Sequence, residues 1–261
     1  MKIYELILSL FYRIVKDDKR FKYYKKLQSN LRLSRNEILE EQNINIQKLI
    51  DHAYNQTEYY RELMDLHQIT PEDIKTKEDL MKLPILTKQL IKDNINKIIS
   101  KDRFSHNMAK VMSGGSTGEL GIVYKSQFFE QMSRASWLRN NSMIGWMPSD
   151  KSVWIWGSPI GQHTSIITKL GIIINRRIIF NAFNYSITDF PKWYNKMLKF
   201  KPKVVFGYSN ILLEFSKFLI EKKINLPSVK MVVSTSEKLK NYNIIEKAFN
   251  LKNSSRLCLG V

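Results

Sequence analysis

The sequence has 261 residues, 43% of them hydrophobic and 25% charged, which is the balance of an ordinary globular protein of one or two domains. Its single cysteine, Cys258, excludes an internal disulfide framework and a cysteine-rich metal site. The net charge of +18 suits nucleic acid, an anionic membrane or phosphorylated ligands, but the lysines are scattered and no zinc finger, RNP pattern or basic region with heptads is present, so we expect no nucleic-acid partner.

The chain begins with a predicted amphipathic helix over residues 1–16. Glu5 and Arg13 interrupt its apolar run, which is too short and too charged to span a bilayer, and no signal-peptide cleavage site follows. We interpret the segment as a helix that packs on its own domain. The alternative is an interfacial helix that, with the basic residues up to Lys26, gives peripheral membrane contact through residues 1–26. The apolar positions are Ile3, Leu6, Ile7, Leu10 and Ile14.

The next segment, to about residue 100, is predicted to be helical. Ser34 and Glu37 have the spacing of a capping box, in which the serine hydroxyl accepts from the amide of Glu37 and the carboxylate reaches back. Thr70, which precedes Pro71, and Thr87 are further candidates for helix N-caps.

From about residue 108 the pattern changes to alternating strands and helices. This alternation indicates an α/β sheet that is covered on its faces. The predicted strands are 108–112, 121–125, 153–156, 172–180, 203–206 and 231–233, and the predicted helices are 126–144, 209–222 and 242–249. The fold class is therefore α/β, with a helical N-terminal segment followed by a layered α/β sheet.

The segment between the first two predicted strands, Ser113-Gly114-Gly115-Ser116-Thr117-Gly118, has the composition of a phosphate-binding loop. Its glycines permit a tight turn that exposes backbone N–H groups, and such a nest of amides attracts anions. It fits neither the Walker A spacing nor Gly-x-Gly-x-x-Gly. Since Gly/Ser/Thr clusters also make β-hairpin turns, its composition leaves a turn and a ligand site equally open.

The loop and four other segments, in the same order, resemble the adenylate-forming superfamily, and more narrowly its phenylacetate–CoA ligase-like and capsular-polysaccharide CapK-type members. The resemblance runs from about residue 45 to about residue 250. One departure is Leu120, where the family often has proline. The other matching segments are Ala53 to Arg61, Leu83-Pro84-Ile85-Leu86-Thr87-Lys88, Lys201-Pro202 with Gly207-Tyr208-Ser209, and Val233-Ser234-Thr235-Ser236-Glu237-Lys238-Leu239.

This resemblance implies an AMP-forming ligase that uses ATP, Mg2+ and a carboxylic acid. The carboxylate attacks the α-phosphate and pyrophosphate leaves, so fixed donors and a metal ion must meet the developing charge. The hydroxyl residues of the loop would hold the β- and γ-phosphates, the segment around Glu237 would border the adenine, and Tyr208 would lie near the acyl pocket. The ATP-binding residues implied in this way are Ser113, Gly114, Gly115, Ser116, Thr117, Gly118, Ser236 and Glu237.

Other candidate residues have simpler interpretations. His163 follows an aromatic strand and is a candidate for lining the substrate pocket, although a surface or capping histidine is the favoured interpretation. No catalytic triad and no set of residues with metal-ligand spacing is visible in the sequence. Trp146, Trp154 and Trp156 are interpreted as core residues rather than as a ligand platform.

The family's remaining motifs would lie beyond residue 261. There a Tyr-Gly-x-x-Glu segment, a ribose-binding aspartate, a hinge and a small C-terminal domain with a catalytic lysine follow the segment of Glu237. We therefore expect residues 1–261 to form part of the N-terminal ATP-binding domain, without catalytic or metal-ligating residues, and to be inactive alone.

Two functions follow as hypotheses. The first is an AMP-forming acyl or aryl ligase-like protein, in truncated form, linked to capsular or cell-surface polysaccharide biosynthesis. The second is a non-catalytic accessory or membrane-surface-associated fragment in surface polysaccharide assembly. A nucleic-acid binder rests on charge alone and ranks last. The lone cysteine favours the cytoplasm, with membrane association as the alternative.

Overall fold

The computed structural model describes residues 3–102, 108–112, 122–157, 165–235, 241–251 and 256–259. The chain divides into two compact units. One unit combines Met1–Asp18 with Leu138–Val261, and the other is Lys19–Trp137. We call them the sheet unit and the helical unit.

The described elements are mostly helical before residue 100 and alternate afterwards, as the sequence predicts. The helices are α1 (Ile3–Val15), α2 (Arg20–Ser29), α3 (Arg35–Gln56), α4 (Glu58–Leu66), α5 (Lys88–Asp93), α6 (Ile95–Ile98), α7 (Gln127–Met143), α8 (Ile166–Ile174), α9 (Phe190–Phe200), α10 (Ser209–Glu221) and α11 (Tyr242–Phe249). The strands are β1 (Ala109–Met112), β2 (Ile122–Lys125), β3 (Ser152–Trp156), β4 (Arg177–Asn181), β5 (Val204–Tyr208), β6 (Met231–Thr235) and β7 (Arg256–Leu259). Short 3-10 helices occupy Asn30–Arg32, Pro71–Asp73, Glu78–Lys82 and Ile187–Asp189.

The predicted helix caps of the helical unit are formed. The Glu37 N–H donates to Ser34 Oγ at 3.3 Å and the Ser34 N–H donates to Glu37 Oε2 at 2.7 Å, which completes the capping box of α3. The hydroxyl of Thr87 accepts from the Leu90 N–H at the start of α5. At Thr70, by contrast, the helix that follows is a single 3-10 turn.

Strands β1 and β2 pair antiparallel in the helical unit, with Met112 opposite Ile122. The chain between them includes the predicted phosphate loop, Ser113 to Gly118, and lies outside the described residues. After β2 the Ser126 hydroxyl accepts from the Phe129 N–H at 3.1 Å, as expected for the start of α7.

The sheet unit contains a five-stranded parallel sheet in the order β4-β3-β5-β6-β7. This arrangement confirms the α/β fold class. One face of the sheet packs against α9, α10 and α11 in a continuous apolar core. Members of that core from the strands are Val153, Ile155, Phe180, Val205 and Val232, and members from the helices include Trp193, Met197, Leu212, Phe215, Leu219 and Ile245.

The predicted strand 172–180 begins too early. Its first isoleucines belong to α8, which ends at Ile174, and Arg176 turns the chain with a φ of 48° before β4 begins. A run of β-branched residues has the composition of a strand, so local pattern favoured the wrong element here. Helices α8 and α9 and strand β7 were not predicted.

Candidate functional site

The order of the strands creates a switch point between β3 and β5. From β3 the chain continues to β4 on one side, whereas from β5, the neighbour of β3 on the other side, it continues to β6 in the opposite direction. In open α/β sheets, ligands bind outside the carboxyl ends of the strands at such a point. Trp156 and Tyr208 are the last residues of these two strands.

Four strands end in one row of residues at this edge. Trp156 pairs with Asn181, Tyr208 pairs with Thr235, and the pairing of Ile155 with Gly207 brings Trp156 next to Tyr208. Residues paired across parallel strands point to the same face of the sheet. The row, in sheet order, is Asn181, Trp156, Tyr208 and Thr235, and we call it the edge row.

Two aromatic rings stack with that of Tyr208. The ring centroids of Trp156 and Tyr208 are 4.9 Å apart with an interplanar angle of 28°. Those of Phe183 and Tyr208 are 5.9 Å apart at 16°. Phe183 follows β4 in the sequence and is 77% exposed. The site therefore presents flat apolar surface next to polar atoms of the edge row, an arrangement suited to a planar or apolar ligand group.

The segment that carries Phe183 is held by hydrogen bonds of Asn181 on one side of it and of Tyr185 on the other. The Asn181 side-chain oxygen accepts from the Phe183 N–H at 2.9 Å and the Asn184 N–H at 3.3 Å. The Tyr185 hydroxyl donates to Glu214 Oε2 on α10 at 2.7 Å. Burial and this carboxylate raise the pKa of Tyr185 to about 12.

Glycine at position 157 leaves room for the ring of Phe183. A methyl group placed on Gly157 would lie 2.0 Å from Phe183 Cε2. Any other residue at position 157 would therefore have to displace the ring.

The other end of the edge row is polar. The hydroxyls of Ser209 and Ser234, both buried, are 2.8 Å apart and connect the start of α10 to β6. The hydroxyl oxygen of Thr235 is buried and has no hydrogen-bond partner among the described residues. A buried hydroxyl without a partner is able to form a hydrogen bond with a ligand atom.

Of the three tryptophans predicted to be core residues, Trp146 is buried, whereas Trp154 and Trp156 are partly buried. Trp146 is buried, in agreement with its interpretation as core, and its ring meets Phe206 edge-on at 5.9 Å. The guanidinium of Arg177 lies 3.9 Å from the ring centroid of Trp154. Trp156 is only partly buried, and its place in the edge row makes it a candidate ligand platform.

Among the residues predicted for the site, the structure describes Tyr208 alone. The residues missed by sequence reasoning are Trp156, Phe183 and Thr235. Trp156 is the last residue of the predicted strand 153–156, so its place was visible in the sequence, whereas Thr235 lies two residues beyond the predicted strand 231–233. The predicted site residues that lie outside the described part are Ser113, Gly114, Gly115, Ser116, Thr117, Gly118, His163, Ser236 and Glu237.

In the described part of the chain, no group of three or more His, Cys, Asp or Glu residues is arranged to hold a metal ion.

Comparison with known proteins shows similarity to a curated protein and to solved structures, although no family model matches the sequence. The chain is 24% identical over 222 residues to Protein CapK of Staphylococcus aureus, a match that covers 82% of this chain and 48% of CapK. The chain thus spans about half the length of this curated relative.

The fold is similar to that of part of 2-hydroxyisobutyryl-CoA ligase. Its structure in the postadenylation state, in complex with 2-HIB-AMP, matches with a TM-score of 0.59 at 16% identity, over 84% of this chain and 48% of the ligase. Its structure in the thioesterification state, with 2-HIB-AMP and CoA, matches with a TM-score of 0.58 at 16% identity, over 84% of this chain and 48% of the ligase. With the match to CapK, these similarities confirm the predicted resemblance to adenylate-forming, ligase-like proteins.

Proposed function

We propose that this chain is the nucleotide- and acyl-binding part of an AMP-forming ligase-like protein that activates a carboxylic acid with ATP. The observation that carries the proposal is the stack of Trp156 on Tyr208 at the switch point of a parallel sheet. Such a place is where an open α/β sheet binds its ligand. In this account residues 1–261 belong to the N-terminal ATP-binding domain.

The edge row would bind the flat and apolar parts of the substrates. Rings at Trp156, Tyr208 and Phe183 offer stacking surface for a base or an acyl chain. The hydroxyl of Thr235 is the polar group of the row nearest in sequence to Ser236 and Glu237, the residues that the resemblance assigns to the border of the adenine. The edge row would therefore orient the substrates and exclude water from one side of them.

The phosphates are assigned to the loop Ser113 to Gly118. In the proposed reaction a carboxylate oxygen forms a bond to the α-phosphorus, the bond to pyrophosphate breaks, and an acyl adenylate and pyrophosphate result. Backbone amides and hydroxyls of the loop would stabilise negative charge on the departing phosphates. Mg2+, where it is bound, would neutralise phosphate charge. Both ATP and Mg2+ are implied by the resemblance.

The comparisons support the proposal at two levels. The ligase whose fold this chain shares was solved with an acyl adenylate, 2-HIB-AMP, and with CoA. Similarity to CapK supports the narrower hypothesis of a role in capsular or cell-surface polysaccharide biosynthesis. A cytoplasmic location is part of the same hypothesis, since ATP is the proposed substrate.

A second candidate function is a non-catalytic accessory protein at the membrane surface. It is favoured by the exposed apolar residues of α1, among them Ile3 and Ile14. Ligand binding distinguishes the two functions, because an accessory protein has no need of an ATP site.

Calorimetric titration of residues 1–261 with ATP and Mg2+ tests the proposal. We expect saturable binding that Ser116→Ala and Thr117→Ala each weaken by about tenfold or more, since a hydrogen bond to a charged group contributes about 1.5–3 kcal/mol. Ser29→Ala, which removes an exposed hydroxyl of the helical unit, is the matched control and should leave the affinity unchanged. A folded chain that fails to bind ATP would remove the ligase proposal and leave the accessory function.

A further inference from the structure

Helix α1 presents its apolar residues to the outside. Its buried residues are Glu5, Leu8 and Tyr12, so that a carboxylate and a phenol lie on the inner face. The opposite face carries apolar side chains at the spacing of one helical stripe, and Ile14 is 76% exposed. These exposed residues are Ile3, Leu6, Ile7, Leu10 and Ile14.

Helix α8 has a similar face. It contains no buried residue, and Ile173 near its end is 70% exposed. Aliphatic side chains at successive turns stand in solvent, where their hydration is unfavourable. The exposed apolar residues of α8 are Ile166, Ile167, Leu170 and Ile173.

Three contacts hold α1 and the end of α8 together. The Tyr4 hydroxyl donates to the Ile174 carbonyl, and the Asn175 side-chain amide donates to the Tyr12 hydroxyl at 2.7 Å. The guanidinium of Arg176 lies 4.3 Å from the ring centroid of Tyr4. The two exposed apolar faces therefore lie on neighbouring parts of the sheet unit, and we call them together the α1–α8 surface.

Exposed charges beside these apolar residues are mainly basic. The exposed basic residues in and directly after α1 and α8 are Arg13, Lys16, Lys169 and Arg176. An exposed acidic residue, Asp17, follows α1. Apolar residues with a basic border are the composition of an interfacial surface that binds anionic lipid.

We propose that the α1–α8 surface docks on an anionic phospholipid membrane. Its isoleucines and leucines would enter the boundary between headgroups and acyl chains, and its basic side chains would pair with lipid phosphates. No helix within the described ranges is long and apolar enough to cross a membrane. This proposal does not depend on the ligase function.

A second copy of the chain fits this surface less well. Pairing of identical surfaces would bring Arg13, Lys16, Lys169 and Arg176 of one copy close to the same residues of the other. Like charges oppose such an association, and the whole chain already carries a net charge of +18. The charge therefore favours a negatively charged partner.

Vesicle flotation with residues 1–261 tests the proposal. The probes are phosphatidylcholine vesicles with and without phosphatidylserine. A chain with a net charge of +18 is expected to adsorb to anionic vesicles through many parts of its surface. The decisive comparison is therefore between substitutions in the α1–α8 surface and the same substitutions elsewhere. We expect Ile14→Glu and Ile173→Glu each to lower partitioning onto the anionic vesicles by about tenfold or more. Each substitution removes an aliphatic group that the membrane would bury and adds a carboxylate that the anionic lipids repel.

Matched controls come from the helical unit and from α9. Met81→Glu and Ile85→Glu make the same chemical change at residues that are 89% and 87% exposed, and should alter partitioning much less. Lys169→Gln should lower partitioning about fivefold, the equivalent of about 1 kcal/mol per basic residue at the surface. Lys192→Gln, at an exposed position of α9, should have a smaller effect.

Three results would overturn the proposal. One is equal losses for the α1–α8 variants and their controls, which would indicate generic adsorption. Another is undiminished flotation of Ile14→Glu and Ile173→Glu. The third is a wild-type dimer, detected by sedimentation velocity, that these two variants convert to monomers without any change in flotation. Circular dichroism melts verify that each variant is folded, and Lys169→Gln, which alters only a surface charge, keeps the test valid if an α1 variant unfolds.

Discussion

The rings of Trp156 and Tyr208 stack at the ends of two adjacent parallel strands, with their centroids 4.9 Å apart. The two residues are separated in the sequence by α8, β4 and α9. Their contact exists because β5 adds to the sheet beside β3 rather than beside β4. The same topology creates the switch point at which we place the ligand site.

Gly157→Ala should disturb the ligand site while it leaves the fold nearly unchanged. The new methyl would lie 2.0 Å from Phe183 Cε2, but Phe183 is exposed and its ring can move away. We expect the free energy of unfolding to change by less than about 1 kcal/mol, as at other surface positions, and the affinity for ATP to fall. Urea unfolding and calorimetric titration measure the two quantities.

A double-mutant cycle identifies the cause of that fall. If the methyl acts through the ring, Gly157→Ala should have little further effect on affinity in the Phe183→Ala background. Additive effects of the two substitutions would show that Gly157 acts independently of Phe183.

Gly207→Ala should destabilise the sheet unit. The added methyl would lie 3.0 Å from Leu212 Cγ and 3.3 Å from Ile155 Cβ, between β5, β3 and α10. Overpacking of this kind costs about 1–3 kcal/mol. Chemical denaturation measures the loss.

Gly171→Ala is the control for Gly207→Ala, because we expect it to stabilise the protein rather than destabilise it. Its methyl would meet Phe11 at 3.9 Å, an ordinary contact, and the glycine lies inside α8. Replacement of a helical glycine by alanine stabilises by about 0.5–1 kcal/mol. Equal effects of the two glycine substitutions would contradict the close approach of α10 to β5.

Ser34→Ala should lower the stability of the helical unit by about 1 kcal/mol, the usual loss for an N-cap hydroxyl. The substitution removes the acceptor of the Glu37 N–H. Ser29→Ala, whose hydroxyl donates to a carbonyl one turn back, is the control and should have a smaller effect. Thermal melts followed by far-ultraviolet circular dichroism report both, and an unchanged melting temperature for Ser34→Ala would contradict the capping role.

Asp79 should make the stability of the helical unit depend on pH in the acid range. Its carboxylate pairs with Lys82 at 2.8 Å and accepts from the N–H groups of Lys75 and Thr76, and these contacts lower the pKa of Asp79 well below its usual range. Because the folded state binds the proton less tightly than the unfolded state does, the contribution is present at neutral pH. It is lost as the pH falls below about 4, the ordinary pKa of an aspartate.

The measurement is a series of thermal melts of the wild type and Asp79→Asn between neutral and acid pH. The wild type should be more stable at pH 7, and the difference should shrink as the pH falls below 4. Glu78→Gln, which alters an exposed neighbouring carboxylate, should follow the wild type. A stability difference that stays constant with pH would refute the assignment to the ionised carboxylate.

Local signals made much of the fold predictable from the sequence. The capping box at Ser34 and the helix Tyr242–Phe249 depend on residues within one or two turns of each other, and the structure has both where the sequence placed them. Tyr208 was assigned to the acyl pocket through a resemblance between ordered motifs, and this assignment stays a prediction. Its neighbours in the candidate site, Trp156, Phe183 and Thr235, were not predicted as site residues.

Tertiary contacts account for the parts that were missed. The stacking of Trp156 on Tyr208 depends on strand order, and the position of Phe183 depends on the turn held by Asn181. Neither is encoded in the spacing of apolar residues. The sequence also does not predict the contact of α1 with α8, because the β-branched run Ile172 to Ile174 has the composition of a strand but belongs to α8.

Fluorine NMR of the chain labelled with 5-fluorotryptophan shows whether ATP binds at the edge row. The five tryptophans report on different places, and replacement of each by phenylalanine assigns its signal. During titration with ATP and Mg2+ we predict that the Trp156 resonance shifts, that Tyr208→Ala weakens the titration, and that the resonance of Trp193, in the core on the opposite face of the sheet, stays in place. Saturable ATP binding that leaves the Trp156 resonance unmoved would contradict a ligand site at the edge row.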